Sequence, residues 1–177
     1  MFAESGFFGA SLDDVARRAG VARATLYYQF ESKFGLLDAA IASTLARASS
    51  DALRRTREHT DAAKAVRLYP QAVCEFWASE YAFVRNVIGL AAVNPEAERI
   101  TEPYDLRRKE LISWLVKRLA DQGKLRDGVL LKQAVDALWM LTSFRSFDQL
   151  HTRSGLSTRA AGVMLSELAS TALLAPG

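Results

Sequence analysis

Apolar residues recur at spacings of three and four along most of the chain, and the strict alternation of a half-buried strand is scarce. The pattern predicts an all-α protein. Its helices are expected over about 12–19, 22–30, 33–57, 62–78, 81–93, 104–121, 130–151 and 158–174. Gly123 stops the sixth of these, and the polar run NPEAERITEP, which holds Pro95 and Pro103, reads as a linker before it.

Two helices near the C-terminus depart from simple amphipathicity. AVDALWMLTSF, from Ala134 to Phe144, is apolar nearly all round, as a helix buried on more than one side must be. The last helix carries Ala161, Leu165, Leu168 and Ala172 on one stripe with Met164 beside it. Small residues among leucines let another helix approach closely. The stripe fits an intrachain core, or a homodimer built as a four-helix bundle from these two helices; the second reading is preferred.

The stretch SLDDVARRAGVARATLYYQFESK has a finer grammar. Ser11 and Asp14 have capping-box spacing, and Asp13 and Asp14 suit the positive end of a helix dipole. Ala16 is small enough for a second helix to cross it, and Gly20 can take the positive φ of a helix end. A second short helix follows at once, so the pair reads as a helix-turn-helix. At about 100° per residue, with Leu26 facing the core, Ala24 and Tyr28 point away and Thr25 and Tyr27 flank them. Arg23 sits at the N-terminal edge. Such a face suits a DNA major groove: Ala24 allows close approach, Thr25 offers a methyl and a hydroxyl, and the tyrosines reach phosphates and sugars. Lys33 adds a cation for a phosphate.

These residues resemble the DNA-binding region of the TetR family of bacterial transcriptional regulators. The likeness lies in Gly6 and Phe7, Ser11 and Leu12, Val15-Ala16, Ala19-Gly20-Val21, Thr25-Leu26-Tyr27, Phe30, Ser32-Lys33 and Leu36-Leu37. The resemblance implies a DNA-binding domain over 1–45 and a helical regulatory and dimerisation domain over 46–177. It implies a homodimer on a palindromic double-stranded operator, usually a repressor, controlled by a small ligand. Its DNA contacts would be Ser11, Arg23, Ala24, Thr25, Tyr27, Tyr28, Gln29 and Lys33, and it implies no cofactor. Two positions depart from the pattern: Ala22 replaces the usual capping Ser or Thr, and Phe34 an acidic residue. Family members also have a whole first helix, of which only MFAE resembles the end. Met1 is therefore expected to be internal to a longer reading frame. A competing reading is a dimeric ligand-binding or interaction protein whose DNA head is incomplete.

Aromatic residues cluster in the middle of the chain. Trp77, Trp114, Trp139 and Phe144 are the residues chosen to line a ligand pocket, which suggests a hydrophobic effector. Arg107 and Arg108 read most simply as a solvated helix face. Charge adds little: the chain is +3 overall, and residues 1–60 hold eight basic and seven acidic side chains. One cysteine, Cys74, excludes an intrachain disulfide, and two distant histidines, His59 and His151, give no metal-ligand spacing. No apolar run approaches the ~20 residues of a membrane span, and the N-terminus lacks a signal-peptide pattern, so a cytoplasmic setting is expected. No nucleophile triad, phosphate loop or carboxylate pair stands in a recognisable context, so no catalytic residue is assigned.

Overall fold

The computed structural model describes residues 11–47 and 51–176. MFAE, Gly6 and Phe7 lie outside the described residues, and so does the expectation attached to them. The helices are α1 (Leu12–Ala19), α2 (Arg23–Phe30), α3 (Lys33–Arg47), α4 (Asp51–Glu58), α5 (Ala62–Ser79), α6 (Tyr81–Ala91), α7 (Pro95–Asp121), α8 (Leu131–Leu141), α9 (Phe144–Asp148) and α10 (Thr158–Leu173). A π-helical turn, Gln149–Arg153, continues α9. The chain divides into two units, Met1–Ala48 with Glu80–Asp105, and Ser49–Ser79 with Leu106–Gly177. Among the described residues no helix is long and apolar enough to cross a membrane.

The first unit begins with the predicted helix pair. The Ser11 hydroxyl accepts from the Asp14 N–H at 3.0 Å and opens α1. Gly20 closes it at φ 68°, while the Val21 N–H bonds Ala16 O at 3.0 Å. Ala22 stands at the N-cap of α2 in extended backbone and makes no side-chain cap. The exit from α2 is tighter. The Ser32 N–H reaches back to Phe30 O at 2.6 Å around Glu31, whose φ is +61°. That is a three-residue turn of the rare, strained hand. A side chain at Gly35 would run into the Phe30 carbonyl, so glycine is required there. Behind this turn, Leu37 and Ile41 of α3 bury against Val87 and Leu90 of α6 and Ala97 of α7. Phe34, Phe83, Ile100 and Tyr104 pack around them.

In the second unit the core joins Ala62, Ala65, Val66, Tyr69 and Val73 of α5 to Ile112, Leu115, Val116 and Leu119 of α7. Ala134 and Leu138 of α8 and Ala169 and Leu173 of α10 complete it. Each of the larger apolar side chains contributes about 1.5–3 kcal/mol by leaving water. Here α10 lies along α5. Gly162 permits this: a Cβ there would stand 3.1 Å from the Gln71 Cα. The Ser166 hydroxyl donates to Arg67 O at 2.6 Å. The predicted stripe on α10 therefore splits. Ala161 and Leu165 are buried, whereas Met164, Leu168 and Ala172 are exposed.

Of the helix expected over 33–57, Lys33–Arg47 and Asp51–Glu58 are helical and 48–50 lie outside the described residues. Two other boundaries differ from the pattern-based reading. The linker expected at NPEAERITEP is instead the start of α7. The Asn94 side chain accepts from the Glu96 and Ala97 N–H groups, both at 3.0 Å, and Pro95 takes the first helical position, where its missing N–H costs nothing. Pro103 lies inside α7. Finally, the helix expected over 130–151 breaks at Thr142-Ser143, where Ser143 caps α9 by accepting from the Ser146 N–H at 3.1 Å.

Candidate functional site

On α2 only Leu26 is buried, at 7% exposure. Arg23, Ala24, Thr25, Tyr27, Tyr28 and Gln29 are exposed, and Tyr28 stands clear at 93%. Val15 and Phe30 are half-buried. The N-terminal edge of α2 is tied to α1. Arg23 Nε pairs with Asp13 Oδ1 at 3.0 Å, its Nη2 donates to Tyr27 Oη at 3.3 Å, and its guanidinium lies 5.2 Å from the Tyr27 ring centre. Asp13 thus holds Arg23, and Arg23 holds Tyr27. Sequence reading names Arg23 and Tyr27 but gives Asp13 only a dipole role; the ten-residue separation carries no periodic signal.

Ser11 spends its hydroxyl locally. It accepts from the Asp14 N–H and donates to Asp14 Oδ2 at 2.6 Å. That hydroxyl is the largest cause holding the Asp14 carboxyl below the usual range, with Arg17, which also pairs with Asp14, adding to it. Lys33 opens α3 half-buried, and burial lowers its ammonium below the ordinary lysine value.

In the second unit Trp77, Trp139 and Phe144 gather around the end of α8, while Trp114 stands apart. The Trp77 Nε1–H donates to Thr142 O at 3.0 Å, and its ring meets Phe144 edge-on at 5.8 Å. Arg108 Nη1 donates to Trp139 O and Thr142 Oγ1, both at 3.1 Å. Trp77 and Arg108 therefore satisfy carbonyls that the end of α8 leaves open, and the cation suits the negative end of the helix dipole. Arg108 is half-buried rather than part of a solvated face, while Arg107 is exposed. Trp114 is 43% exposed beneath the Arg118 guanidinium, 4.6 Å away. Cys74 is buried, and burial first, then Glu75, pushes its thiol up to about 12, which leaves it unreactive.

A family model described as "Bacterial regulatory proteins, tetR family" matches residues 1–40. The matched segment contains the capped α1, the glycine turn and the exposed face of α2. Over these residues the chain is similar to the tetR family of bacterial regulatory proteins. Solved structures of TetR-type regulators share the fold over nearly its whole length. PfmR of Thermus thermophilus, a TetR family transcriptional regulator, is 22% identical, with a TM-score of 0.70 over 95% of this chain and 91% of that one. The ketosteroid transcriptional regulator KstR2 of Mycobacterium tuberculosis is 18% identical, with 0.68 over 99% and 90%. Salmonella enterica GusR is 19% identical, with 0.76 over 97% and 88%. At these identities the likeness establishes the all-α TetR architecture, a helix-turn-helix head with a helical C-terminal domain. No curated protein matches the sequence.

Proposed function

We propose that the chain is a ligand-responsive repressor that binds a palindromic operator as a homodimer. The observation that carries the reading is the face of α2. One buried residue, Leu26, anchors the helix, and its other surface is free to read DNA. Arg23, Ala24, Thr25, Tyr27, Tyr28 and Gln29 make the contacts in the groove, Lys33 meets a phosphate, and Ser11 contributes from the cap of α1. Residues 1–45 form the DNA-binding domain and 46–177 the regulatory and dimerisation domain.

The dimer forms through α8 and α10. Leu131 and Met140 on α8 are exposed, as are Val163, Met164 and Leu168 on α10. Apolar side chains concentrated on two helices favour a partner of the same kind, buried as a four-helix bundle. The effector site lies among Trp77, Trp139 and Phe144, without Trp114, which stands beneath Arg118 instead.

A gel shift on the intergenic DNA upstream of the coding sequence tests the reading, run across a salt series with light scattering on the free protein. The expected result is a shift that weakens steeply with salt and a free protein of twice the chain mass. A protein that stays at the chain mass, or that shifts no DNA at low salt, overturns it.

A further inference from the structure

The first turn of α1 holds two carboxylates whose ion pairs differ in reach. Asp14 pairs with Arg17 of its own helix. Asp13 reaches out of α1 to Arg23, the first residue of α2, with 3.0 Å between Oδ1 and Nε. Both partners are more than half exposed, so the pair adds little to folding. Its effect falls on direction instead. A guanidinium carries five N–H donors in one rigid plane. With Nε fixed by Asp13 that plane is set, and Nη2 stands 3.3 Å from Tyr27 Oη. The guanidinium carbon lies 5.2 Å from the Tyr27 ring centre, within cation–π range. Because the phenolic oxygen accepts from Arg23, its own hydrogen is left to donate. Tyr27 is exposed, so that donor can reach a partner outside the chain.

We infer that Asp13 determines specificity in the DNA reading proposed above, acting as a positioning residue through Arg23 and Tyr27. On the sequence that α2 fits, the aimed Tyr27 hydroxyl donates to an acceptor of the duplex. On any other sequence no acceptor stands in that place, and Asp13 is then only a carboxylate facing phosphates, which it repels. One side chain thereby strengthens the matched complex and weakens the mismatched ones, which is how discrimination is built from both directions. The inference rests on the DNA-binding reading and deepens it.

Two probes test it, titrated into the full chain by fluorescence anisotropy: the duplex that the parent selects from a random-sequence library, and a shuffled duplex of the same length and composition. Asp13→Ala should weaken the selected duplex about fivefold and tighten the shuffled one about twofold. The opposite signs are the signature of positioning. A merely structural role would weaken both, and simple removal of a negative charge would tighten both. Either of those results, or no change in either duplex, overturns the inference. Tyr27→Phe keeps the ring and lacks the hydroxyl. In that background Asp13→Ala should no longer weaken the selected duplex, and a penalty that persists there overturns the inference as well. Retained binding of the shuffled duplex shows that each variant is folded. A parent that selects no duplex sinks the DNA-binding reading itself. Selection by the parent, with the wrong signs in Asp13→Ala, sinks the role of Asp13 alone.

Discussion

Tyr104 of α7 donates its phenolic hydrogen to Asp38 of α3, 2.6 Å from Oη to Oδ1, with Asp38 O also within reach at 3.3 Å. The two residues lie 66 positions apart in sequence. The bond fastens the helix that directly follows the helix-turn-helix to the first turns of α7, beside the Leu37–Ile41 cluster. Tyr104→Phe removes the hydroxyl and keeps the ring in that cluster. It should cost about 1 kcal/mol in urea unfolding, and an unchanged midpoint would mean the bond is not maintained in solution.

Tyr28 has the opposite character. At 93% exposure it packs on little. Tyr28→Ala should therefore leave stability within about 0.5 kcal/mol of the parent. Operator affinity, followed by fluorescence anisotropy, should fall about tenfold or more, in the range of a lost hot-spot contact. Parent-like affinity would remove Tyr28 from the reading face.

Thr142 is nearly fully buried and stands where α8 ends. Its hydroxyl donates to Leu138 O at 2.7 Å and accepts from Arg108. Thr142→Val keeps the shape and deletes both bonds, so about 2 kcal/mol of stability should be lost. Thermal unfolding measures it, and a variant as stable as the parent would show that the break in α8 needs no such hub.

Acid sensitivity has one identifiable source at Asp61. The bond from Lys124, 3.0 Å away, is the main cause holding this carboxyl down to about 2, against an ordinary value of 3.8. A carboxyl lowered on folding stabilises the protein above its unfolded pKa, and the benefit is lost as pH falls through the folded one. The unfolding midpoint of the parent should therefore drop relative to Asp61→Asn between about pH 4 and pH 2. Parallel pH profiles for the two proteins would rule this source out.

The helix-turn-helix is legible from its residues because local rules decide it. Ser11 at a cap, Gly20 at a turn and Leu26 opposite Tyr28 each act within a few positions. The linker reading of NPEAERITEP fails for a local reason as well. A proline breaks a helix interior but suits its first position, and Asn94 with Pro95 forms such a start. The break at Thr142 cannot be seen in the same way. Leu130 to His151 keeps its apolar period, and the groups opened at the break are met by Trp77 and Arg108, brought in from distant helices. The Asp13–Arg23 pair and the unpartnered Trp139 N–H are likewise tertiary facts, with no sequence period to announce them.

If α2 reads DNA as proposed, Gly35 joins the residues on which that reading depends without itself belonging to the exposed face. The Phe30 carbonyl at the end of α2 occupies the space a side chain would need there. Gly35→Ala must shift either that carbonyl or the start of α3, at an expected cost of about 2 kcal/mol. It should also rotate Tyr27 and Tyr28 against the groove. A mutational scan selected on operator occupancy would then rank Gly35 with the contact residues, while a scan for protein abundance would see only its smaller folding penalty. Inheritance of operator specificity in this chain would be guarded in part by a position that carries no base information at all.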